Sequence, residues 1–365
     1  MLGAVVVVLL GAEAGTRLLS PVGPALLVAD PEIGKRYVAG FEGRVFVDEA
    51  GRAVALRFNR EGFRGPDRPR PKPPGTFRVA VIGDSMIAGV ATAEGKTLVG
   101  RLETALAERR PEARVEVLNF GVSSSSTGQE LALYRGLVSA YEPDLVLLAL
   151  FVGNDFADNS GRLTRARRIY FDLDEGGVLR ERGRPAAPGP LTLWLQRHSR
   201  FYVWQMRAFR MLRGAGRAAV GAIPPGLRVF EVPGDPDLTH AWTLLDRVLR
   251  QFKADVEADG SRFALVVVPC AEQVHEDLWA NLASRAAAQG RTLDREQPGR
   301  RLSAIAHDEG IPLLDLTPAF REATGARPSG DTDASPFLLG RYHLSDAGNR
   351  IAADEVLRFL TSLYS

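Results

Sequence analysis

"RVAVIGDSMIAGVATAEGKT" (residues 78–97) decides how the rest of the chain is read. Two chemistries compete for it. Gly95-Lys96-Thr97 follows an earlier glycine, as in a phosphate-binding loop, whereas Gly83-Asp84-Ser85 follows an apolar run, as in a nucleophile turn. A phosphate-binding loop requires glycine, four residues, then Gly-Lys-Ser/Thr, because its backbone must curl around the phosphates. Here five residues separate Gly89 from Gly95, and Val90 stands where that glycine belongs. Gly95-Lys96-Thr97 therefore reads as the entry to a helix that begins near Thr97. Ser85, by contrast, sits where a sharp strand-to-helix turn presents its hydroxyl, and the helix N-terminus behind it favours developing negative charge. Gly-Asp-Ser alone also fits an ordinary turn. The decision rests on the other strand ends.

Outward from this stretch, short apolar runs alternate with helical spacing. Phe77–Ile82, 113–121, 145–153, 262–269 and 311–316 read as strands. The segments 97–109, 130–141, 241–258, 299–309 and 345–364 carry apolar residues on one helical face. Five such strands predict an α/β protein: a three-layer α/β/α sandwich with about five parallel strands, covered on both sides by helices. In such sheets the ligand crevice lies beyond the carboxyl ends of the strands.

The flanking regions differ. Leu2–Ala12, "LGAVVVVLLGA", carries no charge and is too short to span a bilayer, which takes about 20 residues. It fits the apolar part of an export signal or an anchor, although the basic start is missing; a buried element of the fold is the other reading. Residues 37–59 alternate weakly, with 48–53 as a turn between two strand-like runs. "GPDRPRPKPPG" (65–75) reads as an extended linker. The expected organisation is a signal or anchor at 1–20, an N-terminal extension and linker at 21–75, and one domain at 76–365. A helical, lid-like insertion interrupts that domain at about 160–236. Within it, 191–213 reads as a single basic helix with aromatic residues: a lid, a membrane-resting surface, or a helix packed on the core.

Composition narrows the partners. Of 365 residues 45% are apolar and 25% charged, and the net charge of +2 leaves no footprint for nucleic acid. The single Cys270 excludes an internal disulfide and a cysteine-based zinc site, and no histidine–carboxylate group has metal-ligand spacing. No cofactor or metal is expected.

The strand ends supply the deciding pattern. Gly121 closes the second strand, where a bare backbone N–H can approach a substrate oxygen. Asn154 follows the third, inside Gly153-Asn154-Asp155, where its amide can donate to an oxyanion. His343 precedes the last helix in "RYHLSDAGN", with Ser345 placed to cap that helix. Ser85, Gly121, Asn154 and His343 thus come from four separate carboxyl-end loops. With "GDSMIAG" (83–89), "LNFGVSSSSTGQE" (118–130), "VGND" (152–155) and "YHLSDAGNRIA" (342–352), the chain resembles the GDSL or SGNH hydrolase family. "FNREGFRG" (58–65) and "LDLTPAF" (314–320) are similar to its bacterial, membrane-anchored members. The resemblance implies a flavodoxin-like fold, ester hydrolysis and a place in the cell envelope, membrane-anchored, periplasmic or secreted.

The chemistry expected of these residues is acyl transfer. His343 takes the proton of Ser85, Ser85 attacks an ester carbonyl, and the N–H groups of Ser85 and Gly121 with the Asn154 amide hold the oxyanion. Asp84 and Asp155 are expected to hold their loops through side-chain to backbone bonds. Serines 123–126 read as a flexible, hydroxyl-rich rim. One departure from the family stands out: its aspartate three residues before the histidine is Gly340 here. Asp331, Asp333, Asp346 or a backbone carbonyl is then left to orient the imidazole. Small-molecule, lipid and glycan esters all fit as substrates, with membrane contact through the N-terminus. Two rivals are acetyl transfer to a polysaccharide and a non-catalytic binding module.

Overall fold

Leucine- and valine-rich runs without polar alternation bury both faces at once, which only the interior of a covered sheet allows. The computed structural model describes residues 2–19, 25–47, 50–164, 169–184, 186, 188–214, 222–325, 329, 335–338 and 343–363. Its strands are β1 (Leu27–Asp30), β2 (Gly34–Tyr37), β3 (Glu42–Val47), β4 (Arg52–Arg57), β5 (Thr76–Gly83), β6 (Arg114–Gly121) and β7 (Leu145–Phe151). They continue with β8 (Tyr170–Leu173), β9 (Leu179–Arg182), β10 (Arg262–Val268) and β11 (Leu313–Asp315). The first helices are α1 (Leu2–Leu19), α2 (Ser85–Ala88), α3 (Leu98–Arg109), α4 (Thr127–Leu133), α5 (Asp155–Asp158), α6 (Pro190–His198) and α7 (Arg200–Gly214). The rest are α8 (Pro236–Ala258), α9 (Ala271–Val274), α10 (Glu276–Ala287), α11 (Gln297–Asp308), α12 (Thr317–Thr324) and α13 (Asp346–Leu363).

The five expected strands form one parallel sheet in the order β11-β10-β7-β5-β6. The chain steps from β5 to β6 in one direction and then, across β5, to β7, β10 and β11 in the other. Right-handed crossovers therefore put α3 on one face and α4 and α8 on the other. The packing agrees, since α3 lies against α13 and α4 against α8. The reversal between β5 and β7 is the topological switch point of a flavodoxin-like sheet, where a crevice opens beyond the strand ends.

Local signals explain the helix boundaries. Thr97 caps α3 by accepting the Gly100 N–H at 3.1 Å, and Lys96 pairs with Asp346, so Gly95-Lys96-Thr97 is a helix entry. α4 starts three residues before its apolar spacing becomes visible, because Ser126 caps it through the Gln129 N–H. α8 likewise starts at Pro236 behind the Asp235 cap. The expected helix over 191–213 is two helices, a correction with a specific cause. Ser199 takes an extended conformation and receives the Tyr202 N–H at 3.0 Å, while Glu13 of α1 accepts the N–H groups of Arg200 and Phe201. A side chain distant in sequence thereby caps α7.

The segment before the sheet packs against it. Ile33 and Phe63 belong to the main core, and Tyr37 stacks on Phe58 with centroids 4.2 Å apart. Across 65–75, Arg68 reaches Glu103 and Lys72 reaches Asp144.

At the amino-terminal end of the sheet, Arg78 of β5 stands in register with Glu116 of β6. Both are fully buried; Arg78 donates to Glu116 Oε2 through Nε at 2.9 Å and Nη2 at 2.5 Å, and to the Tyr141 carbonyl at 2.6 Å. Removing one partner strands a buried charge, which costs about 3–5 kcal/mol. Glu116→Ala should lower the unfolding free energy read from a denaturant titration by that amount, and the paired change Arg78→Met with Glu116→Leu should recover most of it.

Candidate active site

The Ser85 turn is built from three close approaches. β5 ends at Gly83, Asp84 caps α2 by accepting the Met86 N–H at 2.8 Å, and Ser85 is the first residue of α2. Its hydroxyl donates weakly to Asp84 Oδ2 at 3.4 Å. The short helix closes at Gly89, whose φ of 57° lies in the left-handed region. Beneath it, a Cβ on Gly121 would stand 2.2 Å from the Ala88 nitrogen, so the backbone of α2 rests on the end of β6. Asn119 fastens this contact: its Nδ2 donates to the Ile87 carbonyl at 2.8 Å and its Oδ1 accepts the Gly121 N–H at 2.9 Å.

Arg64 holds α2 from its other end. The buried guanidinium donates to the carbonyls of Gly89 and Thr92, and burial pulls its pKa down to about 10. It belongs to "FNREGFRG", ahead of the proline-rich stretch. Tyr37 OH lies 2.6 Å from Ser123 Oγ, and Lys35 Nζ donates to the Ser124 carbonyl at 2.6 Å. The 122–126 loop is further tied by Val122 N–H to Gly83 O and Ser125 N–H to Val122 O, both at 3.0 Å. Ser125 and Ser126 are buried. The expected flexible rim is thus a bonded turn, because β2 supplies partners from outside the sheet. Within it Ser124 has φ of 58°, a left-handed conformation uncommon for a residue with a side chain.

Past β7, Asp155 Oδ2 accepts the Phe151 N–H at 2.8 Å and folds the chain back on the strand end. Asn154 Nδ2 donates to Asp158 at 3.3 Å, and its buried Oδ1 has no hydrogen-bond partner. Asp84 and Asp155 both bond backbone amides, the geometry expected of loop-holding residues. His343 lies in a two-ended bracket: Leu338 N–H donates to its carbonyl at 3.0 Å, and Phe337 bridges Leu344. Ser345 Oγ accepts the Gly348 N–H at 3.0 Å and donates to the Ser335 carbonyl at 2.6 Å, capping α13 as expected. Asn349 Oδ1 accepts the Leu98 N–H, tying α13 to α3.

Electrostatics shows which groups meet. Burial raises the Asp84 carboxyl to about 6, against the Met86 N–H and the His343 charge, which lower it. Asp155 is raised well above its ordinary value by burial and then by Glu130 and Asp84. Glu130 is raised by burial and by Asp84, with Lys35 opposing. Asp84, Glu130 and Asp155 thus share a dry space under the turn, and neither Glu130 oxygen has a hydrogen-bond partner. Sequence reading missed Glu130, Arg64 and Asn119. All three lie inside the quoted motif stretches, where nothing in the local sequence set them apart.

Two expected arrangements are not realised as drawn. The Gly121 N–H is occupied by Asn119 rather than open to a ligand. Asp346 faces Lys96 at 3.1 Å and Arg52 at 3.9 Å. Gly340, Asp331 and Asp333 lie outside the described residues. Among the described residues, no group of His, Cys, Asp and Glu has metal-holding geometry. A cavity of about 190 Å³ lies between Asn59, Arg64, Arg68, Thr97, Asn119 and Tyr141, and neither Ser85 nor His343 lines it.

Residues 81–351 match the GDSL-like Lipase/Acylhydrolase family, a span that contains Ser85, Asn154 and His343. No curated protein matches the chain. Among solved structures, LAE5, an alpha/beta hydrolase enzyme from the metagenome of Lake Arreo, Spain, is 17% identical, with a TM-score of 0.42 over 79% of this chain and 97% of that one. A variant of Axe2, an acetyl xylan esterase from Geobacillus stearothermophilus, is 15% identical, with a TM-score of 0.43 over 78% and 94%. TesA is 15% identical, with a TM-score of 0.40 over 78% and 99%. The family match spans most of the chain, includes the Ser85 turn, and falls on a parallel sheet with its switch point beside that turn. The chain belongs to the GDSL-like lipase/acylhydrolase family and is an ester-hydrolysing enzyme.

Proposed function

We propose that this enzyme cleaves acyl esters, carbohydrate acetyl esters among them, through a covalent ester on Ser85. What supports this reading is that the family match over residues 81–351 falls on a chain whose Ser85 opens α2 at the end of β5, beside the switch point of the sheet. His343 accepts the proton of Ser85 Oγ as that oxygen attacks the ester carbonyl. The resulting imidazolium gives its proton to the leaving alkoxide. Water, deprotonated by His343, then frees the acid and restores Ser85. An ionised Asp84 favours the imidazolium, which gives this carboxylate an electrostatic role besides its bond to the Met86 N–H.

Three donors are assigned to the oxyanion: the Ser85 N–H, turned from Asp84, the second hydrogen of the Asn154 amide, whose first goes to Asp158, and a backbone N–H of the 121–124 turn. Asn119 engages the Gly121 N–H, so within that turn we assign the third donor to Ser124. Each donor in a preorganised site is worth about 10²–10³ in turnover.

Ser85→Ala should abolish both hydrolysis of an aryl acetate and labelling by a fluorophosphonate; labelling that persists in the variant would end the assignment. An oligosaccharide supplied as acceptor distinguishes the reaction type, with free acetate expected rather than acetylated sugar. Asn154→Ala should lower kcat by about 10²–10³ with little change in KM. At Ser124, glycine should preserve activity and proline should remove it, because glycine keeps the N–H and tolerates the positive φ.

The buried acids set a pH dependence of stability. Their folded-state pKa values lie above the unfolded ones, so their favourable contribution is complete below about pH 4 and is lost as pH rises through the Asp84 value of about 6. Thermal melting of the native chain should therefore move to lower temperature between pH 5 and pH 8. Glu130→Gln should flatten that slope; an unchanged slope would contradict the shared-burial account.

A further inference from the structure

Away from the ester site, α1, α6 and α7 gather most of the exposed apolar side chains of the protein. Of the seventeen large hydrophobic residues exposed among the described ones, fourteen lie on these three helices. They include Val7, Leu10, Trp194, Trp204, Phe209 and Leu212. A soluble monomer rarely exposes so much apolar surface in one place. The aromatic content adds to this, since Trp and Tyr favour the boundary between hydrocarbon and water. Trp204 stacks beside Phe201, with centroids 6.2 Å apart.

The three helices are fastened together rather than loosely apposed. Glu13 of α1 accepts the N–H groups of Arg200 at 2.9 Å and Phe201 at 3.0 Å and the Ser199 hydroxyl at 2.8 Å. Arg17 bonds Glu13 and donates to the His198 carbonyl at 2.8 Å. α1 is therefore locked to the α6–α7 junction, and its apolar residues join those of the other two helices. Charge then identifies the occupant. Residues 189–214 contain Arg197, Arg200, Arg207, Arg210 and Arg213 and no acidic residue. Arg197 and Arg207 are exposed. Two copies of the chain meeting through this surface would set arginines against arginines. A bilayer with anionic headgroups accepts both features, hydrocarbon for the apolar side chains and phosphate for the guanidiniums. No described helix is long and apolar enough to cross a membrane.

We propose that α1, α6 and α7 form a single membrane-interface surface that seats the enzyme on an anionic lipid bilayer. The surface includes the N-terminal helix but does not depend on it alone, because α6 and α7 supply five of the arginines and all of the aromatic side chains. It stands apart from the Ser85 chemistry and would hold whether or not that chemistry is correctly assigned.

The test uses the full chain and vesicles of phosphatidylcholine, with and without phosphatidylglycerol, read by co-sedimentation and tryptophan emission. Binding should strengthen when phosphatidylglycerol is present, with a blue shift from Trp194 and Trp204. Trp204→Glu with Phe209→Glu should weaken vesicle binding by about a hundredfold, two large apolar side chains being lost. Hydrolysis of a soluble aryl acetate should be unchanged. If that variant does not fold, Arg197→Glu with Arg207→Glu serves instead and should remove the dependence on phosphatidylglycerol. The proposal is overturned if neither vesicle binds the native chain, or if the variants bind as well as the native chain does. It also fails if sedimentation without lipid shows a dimer that the Trp204 and Phe209 changes dissociate, since the occupant would then be a second copy.

Discussion

The Ser85 turn can close onto the sheet only because residue 121 has no side chain. A methyl group there would stand 2.2 Å from the Ala88 nitrogen, well inside van der Waals contact, and would lift α2 off the end of β6. Everything near Ser85 is arranged around this contact. Asn119 bonds both the helix and the glycine, Arg64 draws in the carbonyls at the helix's far end, and Val122 returns a bond to Gly83. A four-residue helix has too few internal bonds to persist alone. Its rigidity is borrowed from the sheet beneath it and from the segment that precedes the sheet.

That dependence gives the N-terminal segment a structural role. Tyr37 and Lys35 hold the 122–126 turn, and Arg64 holds α2, so two of the segments around Ser85 are fixed from outside the α/β core. The arrangement is dry, and dryness has electrostatic consequences. Asp84, Glu130 and Asp155 lie so deep that burial favours their neutral forms, while the neighbouring His343 pulls Asp84 back toward ionisation. A weakly solvated Asp84 interacts with an imidazolium more strongly than an exposed carboxylate would. The same burial works against the folded state once these acids lose their protons. Stability and charge stabilisation at the site thus oppose each other above the Asp84 pKa.

The opposite end of the sheet is organised by charge as well. Arg78 and Glu116 face each other on β5 and β6 with no exposure to water. A one-residue slip of either strand would separate them and leave the buried Arg78 guanidinium without its carboxylate, so this pair penalises the wrong register. The correct register is also the one that aligns Gly83 with Gly121 at the catalytic edge.

Much of this was legible in the chain itself. Strand runs such as 145–151 are apolar throughout, and helices such as 98–109 repeat their leucines at helical spacing, so periodicity alone located the five strands and their parallel arrangement. Ser85, Asn154 and His343 stood out because each follows a strand or precedes a helix, where loops converge. The break at Ser199 was not legible, since its cause is Glu13, far away in sequence. The use of the Gly121 amide by Asn119, the bonded serine turn, the dry company of Glu130 and the reach of Arg64 were also hidden. Sequence by itself determined the elements and the chemical types at their ends, because backbone preference and side-chain polarity act over a few residues. Only the tertiary structure decided which donors are free, which acids are dry and which helices share a face, because hydrogen bonding and desolvation depend on neighbours that folding alone brings together.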